Sequence, residues 1–134
     1  MIFNFRVYLI AVICALLSPA AQAVVGVKLV CDAPVFEFGR VDQSAVITNV
    51  FILKNAGDLS FVMQSIITSC DCTTASIDRR TIGPGESAKI TAVFTAAGRN
   101  GIQKRRITLT PADGAAAPVI FYMEGFVETP AVSN

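Results

Sequence analysis

The fold class of this chain is clearest at residues 45–57, which read AVITNVFILKNAG. Ile47, Phe51 and Leu53 occupy alternate positions, and a β-strand places such positions on one face. The run ends at residues 55–58 (NAGD), a combination typical of a turn. This stretch therefore predicts a strand with one face in the core, followed by a tight turn.

Similar β-rich runs recur up to residue 127, and no sustained helical period interrupts them. The runs cover residues 25–30, 34–41, 45–55, 59–68, 72–77, 87–95, 102–110 and 119–127. In the later runs the positions predicted to face the core are Ile90, Ala92, Phe94, Ile107 and Leu109. Seven to eight strands at a spacing of roughly ten residues predict an all-β, immunoglobulin-like β-sandwich.

The first 23 residues have a different character. Arg6 is their only charge, residues 7–17 are all apolar, and the segment ends in Ala21-Gln22-Ala23. This order is the pattern of a cleavable signal peptide. The alternative is a membrane anchor, but an apolar helix of this length rises only about 16 Å, roughly half of the hydrocarbon core.

We therefore predict three regions: a helical signal peptide at 1–23, a domain at 24–127 and a flexible C-terminal tail at 128–134. The signal implies a periplasmic or secreted protein with no membrane association after cleavage. The chain has 11 basic and 10 acidic residues, and removal of Arg6 leaves ten of each. This neutral balance argues against nucleic-acid binding. The basic cluster at 104–106 is expected on a solvated edge strand.

Three cysteines, Cys31, Cys70 and Cys72, remain after the signal segment. In an oxidising compartment they allow one internal disulfide and leave one thiol. In a strand Cys70 and Cys72 would share a face with Cα atoms about 6.6 Å apart, so a bridge between them needs a kink. Two alternatives stay open: Cys31 pairs with one of them, or the three thiolates hold Cu(I) or Zn(II). A structural disulfide or packed thiols is the preferred interpretation.

The chain contains no histidine. This removes the commonest zinc and copper ligand, the usual base for a cysteine nucleophile and any Ser-His-Asp triad. No glycine-rich phosphate loop precedes a helix. We therefore predict no enzymatic activity and no cofactor.

Five motifs in a fixed order carry a resemblance to a known family. They are FEFG at 36–39, FILKNAG at 51–57, SCDCTT at 69–74, IGPGES at 82–87 and MEGFV at 123–127. The ordered set resembles a family of bacterial exported domains of unknown function, with an immunoglobulin-like sandwich akin to ASH/HYDIN and PapD-like domains. The resemblance implies the fold and no established enzyme activity. Asp71 departs from the Cys-Gly-Cys-Thr pattern that is usual in the family.

Structural rather than functional roles are predicted for several residues of these motifs. The glycines would supply positive φ angles or tight turns, and the asparagine would bond the backbone of its own turn. The predicted structural residues are Phe38, Gly39, Asn55, Gly57, Pro84, Gly85, Cys70 and Cys72.

The expected function is a non-enzymatic binding or scaffold module for an unidentified protein partner. Sandwiches of this type bind through loops or by adding a strand to an open edge, and the region near residues 70–74 is the favoured surface. The alternative is a thiol-dependent metal or redox protein that uses Cys70 and Cys72.

Overall fold

Two β-sheets make up the fold in a computed structural model, which describes residues 26–114 and 116–131 of the chain. The predicted signal peptide and residues 132–134 lie outside this part. Its strands are β1 (Leu29–Val30), β2 (Val35–Asp42), β3 (Val46–Asn55), β4 (Phe61–Thr68), β5 (Thr73–Ile77), β6 (Thr81–Ile82), β7 (Ser87–Thr95), β8 (Gly101–Pro111) and β9 (Val119–Glu128). The only helical element described is a 3-10 turn at Ala112–Gly114. Within these residues no helix is long and apolar enough to cross a membrane.

The strands form one sheet of four and one of five. The four-stranded sheet has the order β1-β3-β7-β5, and the five-stranded sheet has the order β2-β9-β8-β4-β6. The β2–β9 pair is parallel, and the other described pairs are antiparallel. In chain order the strands alternate between the two sheets from β1 to β8, and β9 then stays in the same sheet as β8. This arrangement confirms the predicted immunoglobulin-like sandwich.

The core between the sheets follows the predicted alternation. Ile47 is partly buried. The other positions predicted to face inward are 2% exposed or less, and they are Phe51, Leu53, Ile90, Ala92, Phe94, Ile107 and Leu109. Phe38 of β2 joins them, because its ring stacks on Phe94 with centroids 5.3 Å apart.

The predicted first strand, at residues 25–30, is largely wrong because β1 covers only Leu29–Val30. The chain before it bonds to the turn after β3 instead. Ala56 N–H donates to the Lys28 carbonyl at 2.7 Å, and Asp58 N–H donates to the Gly26 carbonyl at 3.0 Å. Sequence analysis also did not predict β6, whose two residues are too few to show an alternating pattern.

The edge strand expected at residues 104–106 is wrong for the strand as a whole, but among the described strands these residues pair with β9 alone and form a local edge. These residues belong to β8, which lies between β9 and β4. Because β4 pairs only with the half of β8 from Ile107 to Pro111, the basic cluster lies beyond the end of β4. Lys104 is paired there with Glu124 of β9, at 2.8 Å.

Candidate functional site

The Cys-Asp-Cys segment is the turn by which the chain crosses from the five-stranded to the four-stranded sheet. Ser69 still bonds to β8, because its N–H donates to the Arg106 carbonyl at 2.9 Å and its Oγ accepts from Arg106 N–H at 3.0 Å. The chain then turns, and Thr73 N–H donates to the Cys70 carbonyl at 3.2 Å. Residues 70–72 are therefore a turn at one end of the sandwich, outside any strand.

Cys70 and Cys72 form a disulfide across this turn, with Cα atoms 5.2 Å apart. The turn supplies the kink that a bridge between these residues needs. In the chain-entropy treatment, a loop of three residues gives about 1.6 kcal/mol of stabilisation, against about 3 kcal/mol for a loop of 15 residues. The disulfide therefore contributes little to the stability of the fold.

Cys31 is a free, partly buried cysteine that follows β1. Burial raises the pKa of its thiol, the Ala33 backbone N–H partly offsets this, and the charge of Asp32 raises it further. In the described chain the group that could hold a metal ion consists of Cys70, Asp71 and Cys72, whose ligand atoms lie within 4.8 Å of one another. Cys31 is not part of that group. The sulfurs of Cys70 and Cys72 are both engaged in the disulfide.

Arg99, in the loop between β7 and β8, reaches the disulfide turn. Its guanidinium donates to the Asp71 carboxylate at 3.2 Å, and that carboxylate lies 3.6 Å from Cys70 Sγ. Cys72 N–H donates to Cys70 Sγ at 3.0 Å. A shallow opening of about 300 Å³ is lined by Asp71, Cys72, Thr95, Ala97 and Arg99.

Arg105 adds a second positive charge at this end of the sandwich. Its guanidinium lies 5.5 Å from the centre of the Phe94 ring and donates to Gln103 Oε1. Burial lowers the pKa of Arg105, and the nearby charge of Arg99 lowers it further. None of the ion pairs found among the described residues includes Arg105. Two guanidinium groups, those of Arg99 and Arg105, therefore lie near the one carboxylate that lines the opening, Asp71.

A second candidate site is the outer edge of β3. β1 pairs only with Lys54 and Asn55, and no other described strand pairs with that edge. Asn55 N–H donates to Glu86 O and Asn55 O accepts from Gly85 N–H, so odd-numbered residues of β3 bond to the β7 side. The β3–β7 register has no shift. Since backbone groups of successive residues point to opposite edges, those of Thr48, Val50 and Ile52 face the open edge.

A groove of about 340 Å³ runs along this edge, between β3 and the segment that links β1 to β2. Val46, Val50 and Ile52 of β3 are apolar and exposed, at 63%, 46% and 49%, and the last two line the groove. No charged residue lies between 45 and 53. Asp32 and Lys54 also line the groove, so the uncharged part of the edge is the run from 45 to 53, where the free backbone groups lie.

Asn55 lies at the end of the sandwich opposite to the disulfide turn and is fully buried. Its Nδ2 donates to the Leu59 carbonyl at 2.7 Å and to the Ile82 carbonyl at 3.0 Å. Its Oδ1 accepts from Gly57 N–H at 3.0 Å and from Lys28 N–H at 3.4 Å. One side chain thus bonds to three segments: the turn after β3, the strand β6 and the segment before β1.

The remaining glycine and proline positions lie in turns or at close contacts. Gly39 and Gly85 have φ angles of +71° and +75°. Pro84 and Gly85 are the central residues of a turn closed by Glu86 N–H, which donates to the Gly83 carbonyl at 3.0 Å. Gly57 needs its lack of a side chain for another reason, because an added Cβ would lie 2.6 Å from Lys28 N.

Arg99, Arg105 and the open edge of β3 were not identified by sequence reasoning. Arg99 is 28 residues from Asp71, and no local spacing links the two. The run from 46 to 53, which has no charge and no proline, was the available signal for an edge without protection.

These features define an immunoglobulin-like β-sandwich domain with a short disulfide turn at one end. Residues 29–127 match the family described as "Protein of unknown function (DUF1573)", and the chain belongs to that family. The match confirms the resemblance drawn from the five motifs. No curated protein matches the sequence.

Solved structures similar to this chain show the same fold. A protein of unknown function from Porphyromonas gingivalis has a TM-score of 0.65 at 19% identity, over 81% of this chain and 50% of its own. The ASH/PapD-like domain 7 of human CEP192 has a TM-score of 0.57 at 11% identity, over 85% and 94%. The VesB protease of Vibrio cholerae has a TM-score of 0.57 at 11% identity, over 75% and 31%.

The chain spans about half the length of the Porphyromonas gingivalis protein. At identities this low the similarity extends to the fold alone.

Proposed function

We propose that this chain is a non-enzymatic, exported binding or scaffold module that holds a protein partner by adding a strand to the open edge of β3. The unprotected state of that edge is the observation that carries the proposal. Soluble proteins blunt sheet edges with lysine, proline, bulges or very short strands. Between Val46 and Leu53, β3 has none of these.

The occupant that fits is an extended, uncharged segment rich in β-branched residues. The free N–H and C=O groups of Thr48, Val50 and Ile52 match the backbone of an added strand lying in line with β1. Alternate side chains of that strand would enter the groove beside Phe36 and Phe51, which line it. The others would pack on the exposed outer face of β3, where cross-strand pairs of β-branched residues contribute most.

A capped seven-residue peptide of alternating valine and threonine is the probe for this site. We expect it to slow amide hydrogen exchange at Thr48, Val50 and Ile52 and to bind in a fluorescence anisotropy titration. The V50P variant removes a donor on the open edge and spares the bonds to β7, a placement that edge strands tolerate. We expect at least tenfold weaker binding to this variant. The matched control is the same peptide with alternate amides N-methylated, which should not bind.

Two outcomes would overturn the proposal. One is unchanged exchange of these amides at saturating peptide. The other is a protein that is already dimeric, with the same amides protected in the absence of peptide, because the edge would then be occupied by a second copy. Size-exclusion chromatography with light scattering distinguishes this case.

The alternative function, a thiol-dependent metal or redox protein, has one observation in its favour. Cys70 and Cys72 are bonded to each other, so a metal ion could use their sulfurs only after reduction. The disulfide therefore favours redox exchange over metal binding at this turn.

A further inference from the structure

The Cys70–Cys72 disulfide can be reduced at little cost to the fold. It closes a ring of three residues in a turn between two sheets, and both cysteines are partly exposed. The sheets on either side are held by their own strand pairs, β4 with β8 and β5 with β7. A bond of this kind suits reversible exchange better than permanent fastening.

The two sulfurs are not equivalent. Cys72 lines the opening beside Arg99, and Cys70 does not. Cys70 Sγ instead accepts a hydrogen bond from Cys72 N–H at 3.0 Å. Cys72 Sγ has a longer contact, 3.7 Å, with Thr73 Oγ1, and the Asp71 carboxylate 3.6 Å from Cys70 Sγ is paired with Arg99. Because the shorter bond to Cys70 Sγ strengthens when that sulfur becomes an anion, Cys70 is assigned as the leaving group and Cys72 as the point of attack.

The charge around the opening favours an incoming thiolate. Arg99 lines it and is held by Asp71 at 3.2 Å, and Arg105 contributes a further positive charge nearby. Asp71 is the carboxylate that lines the opening, and it is engaged by Arg99. An anionic sulfur entering beside Arg99 is therefore attracted rather than repelled.

We propose that Cys70–Cys72 is a thiol–disulfide exchange site for a protein dithiol. The thiolate of the dithiol attacks Cys72 Sγ, the Cys70–Cys72 bond breaks, and its electron pair leaves on Cys70 Sγ. The second thiolate of the dithiol then attacks its own sulfur in the mixed disulfide and releases the Cys72 thiolate. Two electrons pass to the cysteine pair, two protons follow from the dithiol, and the dithiol becomes a disulfide. This site is separate from the β3 edge and does not depend on it.

Mapping the mixed disulfide tests the direction of attack without altering either sulfur. Oxidised protein carrying C31S is mixed with reduced glutathione and quenched with acid before the reduction is complete. It is then digested for mass spectrometry. We expect glutathione on Cys72 and a free thiol on Cys70 in at least tenfold excess over the reverse. Equal amounts, or a preference for Cys70, would overturn the assignment.

The charge of the attacking thiol tests the role of Arg99 as a positioning residue. Anionic mercaptoethanesulfonate should reduce the disulfide three- to tenfold more slowly in R99A, whereas cationic cysteamine should show no such loss. R99K should restore most of the rate. R106A is the matched control, because this exposed arginine does not line the opening. Its rates should equal those of the parent. Identical losses with both thiols would mean a structural effect and contradict the proposal.

A stability measurement separates exchange from fastening. The C70S/C72S double variant should raise the unfolding equilibrium constant by no more than about 15-fold, the value that a three-residue loop implies. Unfolding of the domain on reduction would show that the bridge is required by the fold, and the exchange proposal would fail.

Discussion

Asn55 carries more of the fold than any other polar side chain in the described part of the chain. Its amide satisfies backbone groups of the β3–β4 turn, of β6 and of the segment before β1. The bond to the Ile82 carbonyl is buried, and the other three are partly buried. The side chain of Asn55 therefore links, by hydrogen bonds, segments that are not paired with one another as strands.

The N55A substitution should therefore be strongly destabilising. Removing the amide leaves the Ile82 carbonyl unpaired in a buried position, at about 1–3 kcal/mol, and leaves three partly buried groups unpaired at a lower cost each. We expect a loss of about 3 kcal/mol in the free energy of unfolding, measured by urea denaturation. N55D is the matched control: it keeps the acceptor but loses both donations from Nδ2, so it should not rescue stability. A loss below about 1 kcal/mol for N55A would contradict this role.

The residue scale also shows where sequence reasoning stops. The bond from Gly57 N–H to Asn55 Oδ1 lies within one turn and follows from the residue types at 55–58. The bond to the Ile82 carbonyl spans 27 residues and requires the strand β6, which has no pattern of its own. The same limit hides the contact of Arg99 with Asp71.

At the scale of elements, the parallel β2–β9 pair explains two of the motifs. Gly39 pairs with Gly125, and the register shifts between Glu37 and Gly39. The shift allows the Phe38 ring to lie against the position where Gly125 would carry a Cβ. Phe38 can stack on Phe94 in the core because β2 and β9 each have a glycine at this point, Gly39 and Gly125.

The G125A substitution should destabilise the domain by overpacking. A Cβ at Gly125 would overlap the Phe38 ring and lie 2.6 Å from Gly39 O, so the ring or the strand must shift. We expect a loss of about 1–3 kcal/mol, measured by thermal or urea denaturation. G83A is the matched control, because its Cβ would meet only the flexible end of the Glu86 side chain at 3.0 Å and should change stability little. Equal effects of the two variants would rule out this explanation.

Strands with a long alternation could be predicted, and short or interior ones could not. β3 and β7 alternate over nine or more residues, so their faces and bounds are visible in the sequence. β1 has two residues, and the chain before it is drawn into hydrogen bonds with a distant turn. Whether β8 is an interior or an edge strand depends on the strands that flank it in the sheet. The charges within β8 do not indicate this.

At the scale of the molecule, the two ends of the sandwich are different. One end holds the Asn55 network, the turn at 83–86 and the start of β1. The other holds the disulfide turn and the loop of Arg99, whose carbonyl accepts from Gln43 Nε2 at 2.7 Å. The exchange chemistry that we propose therefore lies far along the strands from the residue that most stabilises the fold, and one can change without the other.

The export predicted from the sequence would set the redox conditions under which this disulfide forms. Expressed as the full chain in a bacterium with a periplasm, the protein should be recovered there with Val24 as its first residue. Intact-mass measurement should show one disulfide, as the loss of two hydrogen atoms, and one alkylatable thiol at Cys31. A21L should block cleavage, because the peptidase site needs a small residue at that position, whereas Q22L should be processed normally. Recovery of uncleaved chain from the cytoplasm for both variants and the parent would refute the export prediction. It would also leave the Cys70–Cys72 bond without the oxidising compartment that favours its formation.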